Sequence, residues 1–230
     1  MKKLFLLFFA PFMPIMLAAQ NFLDYQVYME SAKERSIIFR GELPFIYIRY
    51  AANDKSTYFA YSENFEIGDV HYRDKLYKNI PLNLNAHRDE LYVKDSLRGI
   101  AFVMNRNYVD SFAIGKHKFV SYKQEENALL KDGYYEVLYS GEVKLYKKIR
   151  KQFYEKIYNN SELRKGFSLI ETFYLWKEDR WYRISAKSDL KKLYDPQWRV
   201  IHNFIRTEKL AFKRDKERAL TEILIFLDQI

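Results

Sequence analysis

Four histidines, His71, His87, His117 and His202, together with scattered Asp and Glu, are the side chains here that could perform acid–base or metal chemistry. No two of these histidines stand three or four residues apart, and neither HExxH nor HxH occurs, so the sequence spells out no local metal-ligating pair. Cysteine is absent, which excludes thiol catalysis and thiolate metal sites. No GxSxG or SxxK motif marks a serine nucleophile. No GxGxxG or GxxxxGK loop offers a phosphate cradle, and no cofactor is implied. The adjacent carboxylates Asp89-Glu90 and Glu125-Glu126 read as solvated loop pairs. An exported hydrolase would therefore need a site that the fold assembles from dispersed Asp, Glu and His. No single residue can be assigned as catalytic, and none as a metal or cofactor ligand.

The stronger chemical signal is aromatic. The chain has 20 Tyr, 18 Phe and 3 Trp, residues that suit half-buried β-surfaces. Outward-facing members of the set Tyr47, Tyr58, Tyr61, Tyr77, Tyr92, Tyr134 and Tyr146 would make a platform for sugar rings or for a protein partner. Cross-strand pairing and core filling compete for the same rings. The formal net charge is +9, of which Lys2 and Lys3 supply two. Basic and acidic residues are interspersed without a long run of either sign, so charge alone names no partner. The expected partner is an envelope protein or a glycan. Nucleic acid is not expected, because the N-terminus reads as an export signal.

That N-terminus has basic Lys2-Lys3, apolar Leu4–Leu17 and small Ala18-Ala19 before polar Gln20, the pattern of a secretory signal peptide over residues 1–19 cleaved at Ala19-Gln20. The apolar run is shorter than the roughly 20 residues a spanning helix needs and holds Pro11 and Pro14, so no stable membrane span is expected after cleavage. Without cysteine there is no thiol for acyl attachment. The address implied is exported, with the periplasm first and the cell surface or medium next.

Residues 20–230 read as a single α+β domain, β-rich over 44–185 and helical over 188–230. Leu23–Phe39 suggests a short helix, with Ile37–Phe39 either ending it or forming a short strand before Gly41. From Pro44 the pattern turns to strands: Phe45–Tyr50 alternates, Tyr58–Tyr61 is short and aromatic, and Gly68-Asp69 reads as a turn. Leu76, Ile80, Leu82 and Leu84 share a face, with Asn83 and Asn85 on the other. Asn105-Arg106-Asn107 reads as a tight connection into Tyr108–Ile114. The clearest hairpin is Tyr134–Tyr139, Ser140-Gly141, Glu142–Ile149; Val143, Leu145 and Ile149 lie on one face, with Glu142, Lys144, Tyr146 and Lys148 on the other. Arg150–Lys165 reads as charged helix or loop. Phe167–Trp176 and Trp181–Ile184 form a last strand pair. The sum is an antiparallel meander, open barrel-like sheet or sandwich of about 10–12 short strands, closed by two or three C-terminal helices. Ser188 and Asp195-Pro196 are the expected starts of the first two helices, and Arg214 or Asp215 that of the last, whose Leu220, Ile223, Leu224 and Leu227 form a stripe. An outer-membrane barrel is disfavoured by the short strands and the helical C-terminal pattern.

The stretch Lys75–Leu84 with Asp89–Val93, the hairpin Tyr134–Tyr146, and the closing Phe204…Lys209-Leu210…Phe212…Asp215…Glu217…Ala219-Leu220 through Asp228 together resemble a family of uncharacterised exported proteins of Bacteroidota. The resemblance covers most of the chain after the signal segment. It implies a periplasmic or surface protein working beside outer-membrane uptake machinery, and it brings no activity or catalytic residue with it.

Overall fold

The computed structural model describes residues 36–47, 52–54, 56–124, 129–158 and 162–230. The Ala19-Gln20 junction, most of the helix expected from Leu23 and the alternation over 48–50 lie outside the described residues. Residues 36–38 are helical.

Ten strands form one antiparallel sheet: β1 (Glu66–Tyr72), β2 (Lys75–Asn85), β3 (Glu90–Asp95), β4 (Ile100–Val103), β5 (Val109–Ile114), β6 (His117–Tyr122), β7 (Gly133–Ser140), β8 (Lys144–Tyr158), β9 (Glu162–Lys177) and β10 (Arg180–Ile184). Their order is β10-β9-β8-β7-β6-β5-β1-β2-β3-β4, an open sheet with β10 and β4 at its edges. It consists of two meanders joined where β5 pairs with β1. Three helices follow: α1 (Lys187–Leu193), α2 (Trp198–Thr207) and α3 (Lys216–Leu227). The architecture is thus broadly α+β, mostly antiparallel sheet with a small helical part at the C-terminal end.

Several expectations are corrected. Gly68-Asp69 is not a turn: Gly68 lies inside β1 beside a register shift, where a Cβ would run into the Ala113 carbonyl of β5. The reversal comes later, at Arg73-Asp74, both with positive φ as a type I′ hairpin requires. Residues 43–47 are not strand, and the Tyr58–Tyr61 stretch contributes only an isolated bridge, Phe59 to Asn85. Asn105-Arg106-Asn107 does turn the chain, with the Asn105 side chain accepting from Asn107 N at 3.0 Å, but it delivers β5 to β1 and not back along β4. Arg150–Lys165 is neither helix nor loop: its described residues continue β8 and begin β9, in unbroken register from Lys144↔Trp176 to Tyr158↔Glu162. Asn83 and Asn85 do lie on the face opposite Leu82 and Leu84, and that face is buried as well. The Asn83 amide donates to the carbonyls of Ser62 and Asn64, and Asn85 donates to Tyr92 Oη at 2.7 Å.

The sheet is strongly coiled. Lys151 N on β8 donates to Ala86 O, and His87 Nδ1 lies 2.8 Å from Lys151 O, so the β2–β3 turn sits on the edge of β8. In a flat sheet the five strand steps from β2 to β8 would span about 24 Å. The contact is possible because β8 runs beyond the start of β7 and leaves that edge unpaired. On the other side of the arm, Asn53 N donates to Lys165 O and Phe167 N donates to Ser56 Oγ, so the segment before β1 holds β9 where β10 does not reach.

Two apolar clusters result. One fills the coil of β1–β8 with Val70, Leu82, Leu91, Val93, Phe112, Phe119, Tyr134 and Ile149. The other lies between the sheet and the helices, joining Leu145, Phe173, Leu175 and Ile184 to Leu190, Ile201, Ile205, Leu220, Ile223 and Leu224. The α3 stripe read from the sequence is this contact, and Asp215 is its N-cap, accepting from Arg218 N at 3.1 Å. The other two helix starts differ. Lys187 opens α1 ahead of Ser188, with Asp189 accepting from Ser185 N and Ala186 N; these bonds hold its carboxyl below the ordinary value. Asp195-Pro196 forms a turn before α2 instead of its first residues. Among the described residues no helix is long and apolar enough to cross a membrane.

Candidate functional site

Side chains on β7, β8 and β9 alternate between the helix face and a far face. On the helix face, the apolar run of β8 is interrupted by Lys147, between Leu145 in one cluster and Ile149 in the other. Directly opposite on β7 stands Glu136. Lys147 is 1 % exposed and Glu136 3 %, and their Nζ–Oε2 distance is 2.8 Å. Around them gather His117 (Nδ1 2.5 Å from Glu136 Oε1), Tyr61 (its hydroxyl donating to Glu136 Oε2), Glu217 at the start of α3 (2.6 Å from Lys147) and Glu171 (3.8 Å). Tyr61 stacks on the His117 ring at 3.7 Å.

Burial works against the charge on Lys147, but hydrogen bonds to Glu136 and Glu217 reverse it and hold the ammonium above its ordinary value. For a base raised in the folded state, the resulting stability is full below the unfolded value of 10.5 and fades as pH climbs past the folded one. Burial and the bond to Glu136 likewise push the Tyr61 hydroxyl up. This is the closest approach in the described residues to the dispersed Asp/Glu/His site a hydrolase would need. Yet both Glu136 oxygens are already engaged, and the carboxylate is closed off from solvent. The node acts as a clasp between the two clusters, reinforced by Tyr139, which donates to Asp228 at the far end of α3.

A second polar group lies at the mouth of the coil. Asp89, with φ of 59°, receives Lys148 Nζ at 2.7 Å and lies 3.2 Å from Arg106, which also donates to the Asp89 carbonyl. Burial drives Lys148 below its ordinary value against the pull of Asp89. A cleft of about 600 Å³ opens here between Arg40, Glu42, Glu90, Asn105 and Arg106. Of its two half-buried carboxylates, Asp89 is held by two cations and Glu90 by Arg88 at 2.9 Å, so neither stands free for acid–base work. Gly133 makes this packing possible: its φ is 145°, and a Cβ would strike both Asp89 Oδ2 and Lys148 Nζ. Gly133→Ala should therefore cost about 2–3 kcal/mol, from strain at a glycine-only conformation and displacement of the ion pair. Urea denaturation measures it, and a loss under 0.5 kcal/mol would contradict the packing described.

The far face is the more distinctive surface. Tyr122 (β6), Tyr135 (β7), Tyr146 (β8), Tyr174 and Trp176 (β9) and Trp181 (β10) form a continuous set of rings. Centroids are 6.1 Å apart for Tyr122–Tyr135, 5.9 Å for Tyr135–Tyr174, 5.1 Å for Tyr146–Trp181, 4.8 Å for Trp176–Trp181 and 5.9 Å for Tyr122–Trp181. The last pair meets although β7, β8 and β9 lie between its strands. The face is therefore concave along that diagonal, and the rings line a trough. Tyr135 is buried at its floor, beneath Lys148 at 4.8 Å, and the other five rings are half-exposed.

Of the seven tyrosines expected to form a platform, only Tyr146 belongs to the trough. Tyr77, Tyr92 and Tyr134 are buried. Tyr47 and Tyr58 stack on each other at 4.0 Å against Phe167, and burial pushes Tyr47 up to about 12. Tyr61 belongs to the clasp. The two tryptophans were missed as a site, although their places on either side of the turn Lys177–Arg180 already put them opposite one another. The histidines do not converge: His71 is on β1, His87 in the β2–β3 turn, His117 in the clasp and His202 on α2. No group of His, Asp and Glu among the described residues is arranged to hold a metal. No family model, curated protein or solved structure matches this chain.

Proposed function

We propose that this is a non-catalytic binding protein of the cell envelope whose far-face trough takes carbohydrate. The observation that supports this reading most is the run of six rings in mutual contact, five of them half-exposed, in a depression of the sheet. Aromatic faces pair with the apolar C–H faces of sugar rings, and the tilted arrangement offers several orientations along one trough. A packed core does not need such rings at its surface, since the two apolar clusters are already complete on the other face of these strands and within the coil. Export, and with it the periplasm or cell surface, rests on the signal-peptide pattern of residues 1–19 and on the family resemblance.

Electrophoresis of the protein through gels cast with soluble polysaccharides tests this reading. Retardation by at least one polymer relative to a non-binding marker is expected. Unchanged mobility across a panel of neutral and acidic polymers would overturn it.

A further inference from the structure

We infer that the trough selects an acidic saccharide, one bearing carboxylates such as a polyuronate; this rests on the carbohydrate reading above and deepens it. The observation is the charge of the far face. Alternation in the register of β6 to β10 places Lys118, Lys144, Lys148, Arg150, Lys156, Arg164 and Arg183 on that face, against the single acid Glu162. Glu162 is taken up by Arg164 at 2.9 Å, and Lys148 by Asp89. Lys118, Lys144, Arg150 and Arg183 have no ion-pair partner among the described residues, and all four are exposed.

The helix face of the same strands is mixed, with Glu136, Glu155 and Glu171 among Lys147, Lys151, Lys165, Lys177 and Arg180. The sign bias is therefore a property of one face and not of the chain's overall charge. Along β8 the far-face order is Lys144, Tyr146, Lys148, Arg150, a cation or ring at every second residue. Successive positions lie about 7 Å apart, so the row spans about 20 Å. On β10, Arg183 pairs with Tyr174 and Trp181 with Trp176, repeating ring beside cation. A polymer lying in the trough meets apolar ring faces at its floor and ammonium and guanidinium groups at its rim. Uronate chains carry both complementary features, sugar C–H faces and a regularly repeated carboxylate.

Trp176 and Trp181 are two of the three tryptophans, so intrinsic fluorescence of the whole chain reports on the trough. Titrations should compare polygalacturonate, the neutral polymer dextran and a single-stranded oligothymidylate, using wild type and the double variant Lys144→Glu/Arg183→Glu. The expected result is binding of polygalacturonate that weakens steeply with salt. It should fall at least tenfold in the double variant, with an unchanged melting temperature as the folding control. Binding of dextran as tightly as polygalacturonate, or polygalacturonate binding untouched by the charge reversal, would overturn the acidic selection while leaving a carbohydrate site standing. Tighter binding of the oligothymidylate, or no response to any polymer, would overturn both readings.

Discussion

Replacing Lys147 with alanine should destabilise the protein by about 3–5 kcal/mol, the usual loss when one partner of a buried ion pair is removed. The reason is geometric. Glu136 would stay 3 % exposed with its main cation gone, and Glu217 and Glu171 would lose the charge that draws them to the same point. For a chain of this length the loss corresponds to a fall in melting temperature of roughly 6–20 °C. Because Lys147 makes the polar bond from β8 to Glu217 at the start of α3, hydrogen exchange should accelerate first in Lys216–Leu227. Removing both charges is the informative control. Glu136→Gln with Lys147→Met leaves no fully buried charge uncompensated, since Glu217 and Glu171 reach solvent, and should lose less than Lys147→Ala alone. A single-variant loss below 1 kcal/mol would mean that the pair is not a clasp.

The second large effect belongs to the trough. Trp176→Ala with Trp181→Ala removes the rings that connect Tyr146 and Tyr122 across β7 to β9. Affinity for polygalacturonate, the proposed ligand class, should drop about 30-fold, equivalent to about 2 kcal/mol, the scale of a hot-spot aromatic. Trp198→Phe, on α2 against the helical cluster, should leave affinity unchanged. Equal losses from both variants would point to a general effect on folding and against a site on the far face.

The parts of the fold legible in the sequence were those whose two faces differ in polarity. The Tyr134–Ile149 hairpin and the α3 stripe follow from alternation and from helical spacing, and both are observed. Arg150–Tyr158 failed because Phe153, Tyr154 and Ile157 fall on both faces, with charges between them. A β-arm that extends past its neighbour β7 has no fully buried face to impose a period. Gly68 misled because glycine serves two purposes. Here it allows a close backbone approach inside a strand, while Arg73-Asp74 make the turn without glycine. Alternation places Asn83 and Asn85 on the face opposite Leu82 and Leu84, but it cannot reveal that a loop folds over that face and buries them. The clasp did leave one mark in the sequence, Lys147 in an apolar-face position between Leu145 and Ile149, but its partners come from five other segments of the chain. The trough depends on the diagonal curvature of the sheet, which no local pattern encodes.

Hydroxyl-radical footprinting of the full chain, with and without polygalacturonate, tests the proposed carbohydrate trough most directly. The account predicts that oxidation of Tyr122, Tyr146, Tyr174, Trp176 and Trp181 falls together on binding, with Trp198 and Tyr61 unchanged. Protection centred instead on Tyr61 and the Glu136–Lys147 clasp, or on the cleft at Asp89, with the far-face rings still oxidised, would contradict it.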